Sequence, residues 1–154
     1  MARIDFVTGN ALIYLPDVEA LATVPDRTEE VLAHTPGVAA NTALSRVLGD
    51  MVAYAEHDQL ALFRMAWMND PVITPLDLDA VAEAEQWSSK RPHELLDRFT
   101  QAIAEAVDLL KDQPDAAWGR AGLFPERRSL RQQVRRSGAY YESALGTLGM
   151  LGGG

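Results

Sequence analysis

The chain contains no cysteine among its 154 residues. That excludes a disulfide framework, a thiolate nucleophile and a thiolate metal site, and it suits a reducing compartment. Cationic side chains are also scarce: 14 Lys and Arg face 22 Asp and Glu, a net charge of −8. Such a balance repels phosphate, so nucleic acid is not an expected partner. No run of about 18 apolar residues occurs, so no membrane span is expected. The opening Met1-Ala2-Arg3-Ile4-Asp5-Phe6 is interrupted by Asp5 and leads into no long apolar segment, unlike a secretory leader. The expected location is cytoplasmic. A Gly-rich phosphate loop, a His-Glu-x-x-His pair and a nucleophile elbow are all missing.

What is present is an ordinary globular composition, 47% hydrophobic and 23% charged, long enough for one domain with its own core. Apolar residues recur at helical spacing in four long segments. The first runs from Pro16 or Asp17 to His34 through Val18, Leu21, Val24, Val31 and Leu32, with a bend or break expected at Pro25. The second starts near Asn41 or Thr42 and reaches Met68, with Leu44, Leu48, Met51, Ala55 and Leu62 on one stripe. Gly49 inside it costs roughly 1 kcal/mol against alanine, which points to close packing there. Leu78 to Trp87 reads as a short extra helix. The third long helix begins at Pro92, a good first helical residue, and carries Leu95, Leu96, Phe99, Ile103, Val107 and Leu110. The fourth opens at Ser129-Leu130-Arg131-Gln132, a capping box, and continues through Val134, Tyr141, Leu145 and Leu148.

Four amphipathic helices without a sheet pattern predict an all-α four-helix bundle, and the two long connections predict crossovers. Residues 1–15 are read as an extended arm, 16–149 as the bundle and 150–154 as a flexible glycine tail. Arg127, Arg128, Arg131, Arg135 and Arg136 form a basic run, read as a solvated, salt-bridged helix face. Trp67, Trp87, Trp118, Met51, Met65 and Met68 are read as core or rim packing.

Two segments make the chain resemble the DinB-like superfamily, which includes thiol S-transferases and mycothiol-dependent maleylpyruvate isomerases. One runs from Leu44 to Glu56 in the second helix. The other is Gly122-Leu123-Phe124-Pro125-Glu126-Arg127-Arg128-Ser129-Leu130-Arg131, leading into the last. The resemblance spans roughly residues 18–148 and implies a DinB-like bundle with a short extra helix. It also implies three metal-binding histidines, whose positions fall here on Asp50, Tyr140 and Ala144. None is histidine and alanine has no donor, so no metal and no other cofactor is expected.

Asp50, Tyr54 and His57 are spaced i, i+4, i+7 along the second helix. Asp50 and His57 lie about 10 Å apart along its axis, too far to share an ion. They form either a polar edge or a ligand pocket. In the pocket reading Asp50 and Tyr140 are catalytic and Tyr54, His57 and Tyr141 contact ligand; alternatively Tyr140 fills the vacated metal cavity, its hydroxyl bonded to Asp50 across the bundle. Burial would raise the pKa of Asp50 and make it a base; alternatively Arg46 neutralises it. His34 and His93 are read as surface residues.

Three functions are compatible with this pattern. The first is a metal-independent protein with a small-molecule pocket and a carboxylate base, acting on an electrophilic metabolite. The second is a non-catalytic module binding a ligand or partner, in which a collapsed core surrounds Tyr140. The third is a thiol transferase with a rebuilt metal site. The expected partners are a small-molecule ligand and a second copy of the chain.

Overall fold

The structure is a computed structural model and describes residues 13–153. The first long helix, α1, spans Leu15–Ala33. α2 spans Thr42–Trp67, the short α3 Leu78–Glu85, and α4 Pro92–Lys111. A hairpin of β1 (Ala121–Leu123) and β2 (Arg127–Ser129) precedes α5, Leu130–Gly153. The all-α bundle with a short extra helix is thus the observed architecture. The first twelve residues of the expected arm lie outside the described part of the chain.

Local chemistry sets most boundaries where expected. Asn41 caps α2 by accepting a hydrogen bond from the Leu44 N–H at 3.0 Å, and Asp77 caps α3 through the Ala80 N–H. The capping box of α5 is complete: Ser129 Oγ accepts from the Gln132 N–H at 3.1 Å, and Gln132 Oε1 accepts from the Ser129 N–H at 2.8 Å. Each satisfies an amide that a helix start leaves without a partner. Arg120 closes the other end of α2, donating to the carbonyls of Met65 and Met68, where a cation also favours the helix dipole.

Three details differ from the sequence reading. α1 runs unbroken through Pro25. Proline removes one N–H, but Pro25 and its neighbour Val24 are buried in the core, and packing holds the helix together. The connection after α4 contains the hairpin, whose three-residue strands are too short to show alternation. α5 continues to Gly153, so the boundary expected at residue 150 falls within a helix.

α1 packs on α4 and α5, and α2 packs on the same two helices. α1 and α2 therefore sit diagonally, as do α4 and α5. Residues 34–41 and 112–129 make the diagonal crossings, whereas the long link holding α3 joins neighbours. Leu44, Leu48, Met51 and Leu62 of α2 meet Leu95 and Phe99 of α4 and Leu130, Tyr141 and Leu148 of α5, all essentially without solvent exposure. Each such side chain contributes about 1.5–3 kcal/mol by leaving water.

Gly49 lets α3 close onto α2. Gln86 ends α3 in the left-handed region (φ 54°), and the following Trp87 lies flat on the backbone of Gly49. A methyl group there would stand 2.1 Å from Trp87 Cγ. Gly49→Ala gains up to about 1 kcal/mol of helix propensity but forces a buried indole to move, a cost of roughly 1–3 kcal/mol or more. The variant is expected to be less stable than wild type, by up to about 2 kcal/mol or more. A urea titration with an unchanged or raised midpoint would refute this close packing.

Candidate functional site

The interface between α2 and α5 holds most of the residues singled out from sequence, together with three that were not. Tyr54 and Tyr140 are brought together, but as stacked rings with centroids 4.1 Å apart. Tyr141 meets both edge-on at 5.5 Å and touches Phe99 of α4 in the same manner. Tyr141, on the apolar stripe, is buried, while Tyr140 is half-buried. Four aromatic rings fill the space between the helices. Burial raises the pKa of all three phenols, so they are neutral hydroxyls at physiological pH.

The hydrogen bond expected between Asp50 and Tyr140 is not made. The Asp50 carboxylate is taken instead by Arg46, one turn earlier on α2, whose Nε lies 3.0 Å from both oxygens. The same guanidinium reaches Asp79 of α3 at 2.6 Å. Partial burial raises the Asp50 pKa and the Arg46 pair opposes the rise. The intrahelical pair wins because an i, i+4 spacing costs little to close, whereas Tyr140 is held by its stack on Tyr54. His57 is not part of this group. Its Nε2 donates to the Thr74 carbonyl at 2.6 Å and ties the link after α2 to the helix.

Asp58, absent from the sequence reading, is the most deeply buried charge-bearing side chain of the interface, 4% exposed. Gln133 Nε2 donates to its Oδ1 at 2.7 Å and Ser137 Oγ donates to its Oδ2 at 2.8 Å. The serine proton is thereby committed, so the Tyr54 hydroxyl, 3.2 Å from Ser137 Oγ, is the donor in that contact. Gln133 Oε1 accepts from Arg128 Nη1 at 2.6 Å. The hairpin carries this arginine inward, its guanidinium 4.3 Å over the Phe124 ring. The chain of donors is Arg128 to Gln133 to Asp58 on one side and Tyr54 to Ser137 to Asp58 on the other. A sequence signal existed: Asp58 and Ser137 occupy stripe positions, between Ala55 and Leu62 and between Val134 and Tyr141, where apolar residues belong.

The basic run spreads out as a salt-bridged surface. Arg127 pairs with Asp70 at 2.8 Å, Arg128 with Glu126, and Arg135 with Asp17 at 3.1 Å. Arg131 lies over the ring of Tyr14, which stacks on Trp118.

An open groove of about 350 Å³ begins beside this interface. It runs between α2 and α3, lined by Thr42, Arg46, Asp79, Glu83, Gln86 and Ser88, with the buried Trp87 among its walls.

A solved structure similar to this chain is YfiT from Bacillus subtilis, described as a probable metal-dependent hydrolase with an unusual four-helix bundle topology. The TM-score is 0.75 at 15% identity, covering 89% of this chain and 86% of that one. The chain thus shares the fold of that four-helix bundle. No family model and no curated protein matches the sequence.

That neighbour raises the question of a metal here. The positions read from the family resemblance offer a carboxylate held by Arg46, a stacked tyrosine and Ala144, which has no donor. No group of three or more His, Asp or Glu side chains placed to hold an ion occurs among the described residues. The donor set does not fit a divalent cation.

Burial pushes the Asp58 pKa up to about 6, against the opposing hydrogen bonds from Gln133 and Ser137. A raised carboxyl pKa favours the protonated group in the folded state. Its contribution is therefore full below pH 4 and declines as the pH rises towards 6, beyond which it is constant. Asp58→Asn keeps an oxygen for Gln133 and an N–H for Ser137. Urea midpoints of wild type and Asp58→Asn should diverge between about pH 4 and 6, with wild type losing stability as pH rises. Parallel curves would show that Asp58 does not titrate in this window.

Proposed function

We propose that this protein is a metal-independent bundle that binds a small polar molecule in the groove between α2 and α3, rather than one that turns over substrate between its helices. The observation that carries this reading is the four-ring aromatic packing around Tyr140. It occupies the space between α2 and α5 in which an internal site would need room. What remains open to solvent is the rim, where Arg46 is poised between Asp50 and Asp79.

The groove suggests the ligand class. Arg46 can fork onto a carboxylate, while Asp79 and Glu83 suit an ammonium group. Thr42, Gln86 and Ser88 add neutral hydrogen-bonding groups, and Trp87 gives an apolar wall. A small zwitterion of amino-acid type satisfies this set without leaving a buried charge unpaired.

Asp50 supports a second, catalytic reading. Its pKa is raised by burial and its charge is held by one exposed arginine. A ligand carboxylate that drew Arg46 away would free Asp50 to take the proton of a water molecule whose oxygen adds to a carbonyl carbon of the same ligand, opening the C=O π bond. Tyr140 and Tyr54 would then border the reacting end, as neutral hydroxyls. His57 has no part in this reading.

Chemical-shift mapping with amino acids, diamines and small carboxylates tests both readings. The zwitterions should perturb Thr42, Arg46, Asp79 and Gln86 together, and Arg46→Ala should weaken binding about tenfold or more. Conversion of the bound compound, lost in Asp50→Asn, would favour the catalytic reading. Silence of the groove towards all three classes, or a stoichiometric transition metal in purified protein, would overturn the proposal.

A further inference from the structure

α2 has two apolar sides. One forms the core. On the other, Leu60, Phe63 and Trp67 recur at i, i+3, i+7 with 60%, 51% and 67% exposure. The Phe63 and Trp67 rings are 6.4 Å apart. A contiguous apolar row rimmed by polar groups marks a binding face, and here the rim says which partner fits. Leu60 stands in a groove of about 490 Å³ between α2 and α4, beside Glu56, Asp97 and Glu105. Trp67 stands at a second cleft, of about 600 Å³, whose wall includes Asp112 and Pro114.

Asp97, Glu105 and Asp112 follow one another at i, i+8, i+15 on α4 and at its C-terminal cap, within one side of that helix. They span about 22 Å and run alongside the apolar row in the same direction. All three are exposed, and none pairs with a cation among the described residues. The cations in the two grooves are engaged elsewhere. Arg98 holds Glu56 and Glu85, and Arg120 donates to the carbonyls that end α2. Arg64 and Lys111 line neither groove.

From this juxtaposition we infer that the α2–α4 face docks a cationic amphipathic helix of a different protein. Apolar residues of that helix at i, i+3 or i+4, and i+7 cover Leu60, Phe63 and Trp67, as helices do in apolar grooves. Lysine or arginine side chains along its flank meet Asp97, Glu105 and Asp112, and this complementarity fixes its orientation and speeds the encounter. Other occupants lack the charge. A second copy of the chain brings a net charge of −8 and the same carboxylates. Residues 1–12 hold one cationic side chain, Arg3, offset by Asp5. Nucleic acid and anionic lipid surfaces are repelled.

The probe is a tryptophan-free peptide of leucine and lysine at helical spacing, about 18 residues or roughly 27 Å long as a helix. Its leucine–glutamate counterpart is the control. Trp67 is exposed whereas Trp87 and Trp118 are buried, so docking on the full chain is read as a blue shift of Trp67 emission. The lysine peptide should bind saturably at or below about 100 μM and more weakly as salt is raised, and the glutamate peptide should not bind. Leu60→Ser with Phe63→Ser, and separately Asp97→Asn with Glu105→Gln and Asp112→Asn, should each weaken binding about tenfold or more. Asp26→Asn with Glu29→Gln and Glu30→Gln, an equal change of charge on the exposed side of α1, should leave it unchanged. Absence of a shift, equal binding of the two peptides, or equal losses from the two sets of neutralised carboxylates overturns the inference. So does an apolar double variant that binds like wild type. A dimer found by sedimentation velocity and lost in Leu60→Ser with Phe63→Ser gives the face to a second copy and overturns it as well.

Discussion

A carboxylate buried between two helices is the constraint around which this bundle is arranged. Among the described residues, no arginine or lysine hydrogen-bonds or pairs directly with Asp58. It is satisfied by an amide and a hydroxyl from one turn of α5. Desolvating such a group without partners costs several kcal/mol, so α2 and α5 can meet in few registers. A slide of one turn would strip Asp58 of both donors at once. Polar networks of this kind specify one packing among many that a purely apolar interface would tolerate.

The hairpin belongs to the same arrangement. Its two short strands add little burial, and an isolated hairpin is marginal by itself. It is pinned to the rest by Leu123, which exchanges hydrogen bonds with Pro71 and Ile73, and it delivers Arg128 to Gln133. The positive charge reaches Asp58 through one amide. A direct ion pair would demand desolvation of the guanidinium as well.

The Tyr54 hydroxyl is drawn towards Ser137 by this network, which leaves its ring in place to stack on Tyr140. The aromatic filling and the polar network are therefore two sides of one interface. At the rim beyond them stand the exposed Arg46 and Asp79 and the half-buried Asp50. α2 links the rim, the network and the apolar outer face, because a helix of 26 residues presents every direction along its length.

The sequence alone determined the helices, their caps and the bundle. Stripes such as Leu44-Leu48-Met51 and the Ser129-Gln132 box are local signals, read within one or two turns. It also marked Gly49 as a site of close approach and set Tyr141 on the apolar stripe of the last helix. Only the tertiary structure decided which partner each polar group takes. Asp50 has two candidates in the sequence, Arg46 and Tyr140; in the fold Arg46 takes the carboxylate and Tyr140 stacks on Tyr54. Asp58 looks like an ordinary acid until Gln133 and Ser137, more than seventy residues distant, are brought against it. Trp67 reads as core or rim packing by type and is exposed by position, since periodicity gives an angle around a helix but not what stands opposite. Hydrogen bonds and contacts between distant segments depend on relative placement of whole helices, which no local pattern encodes.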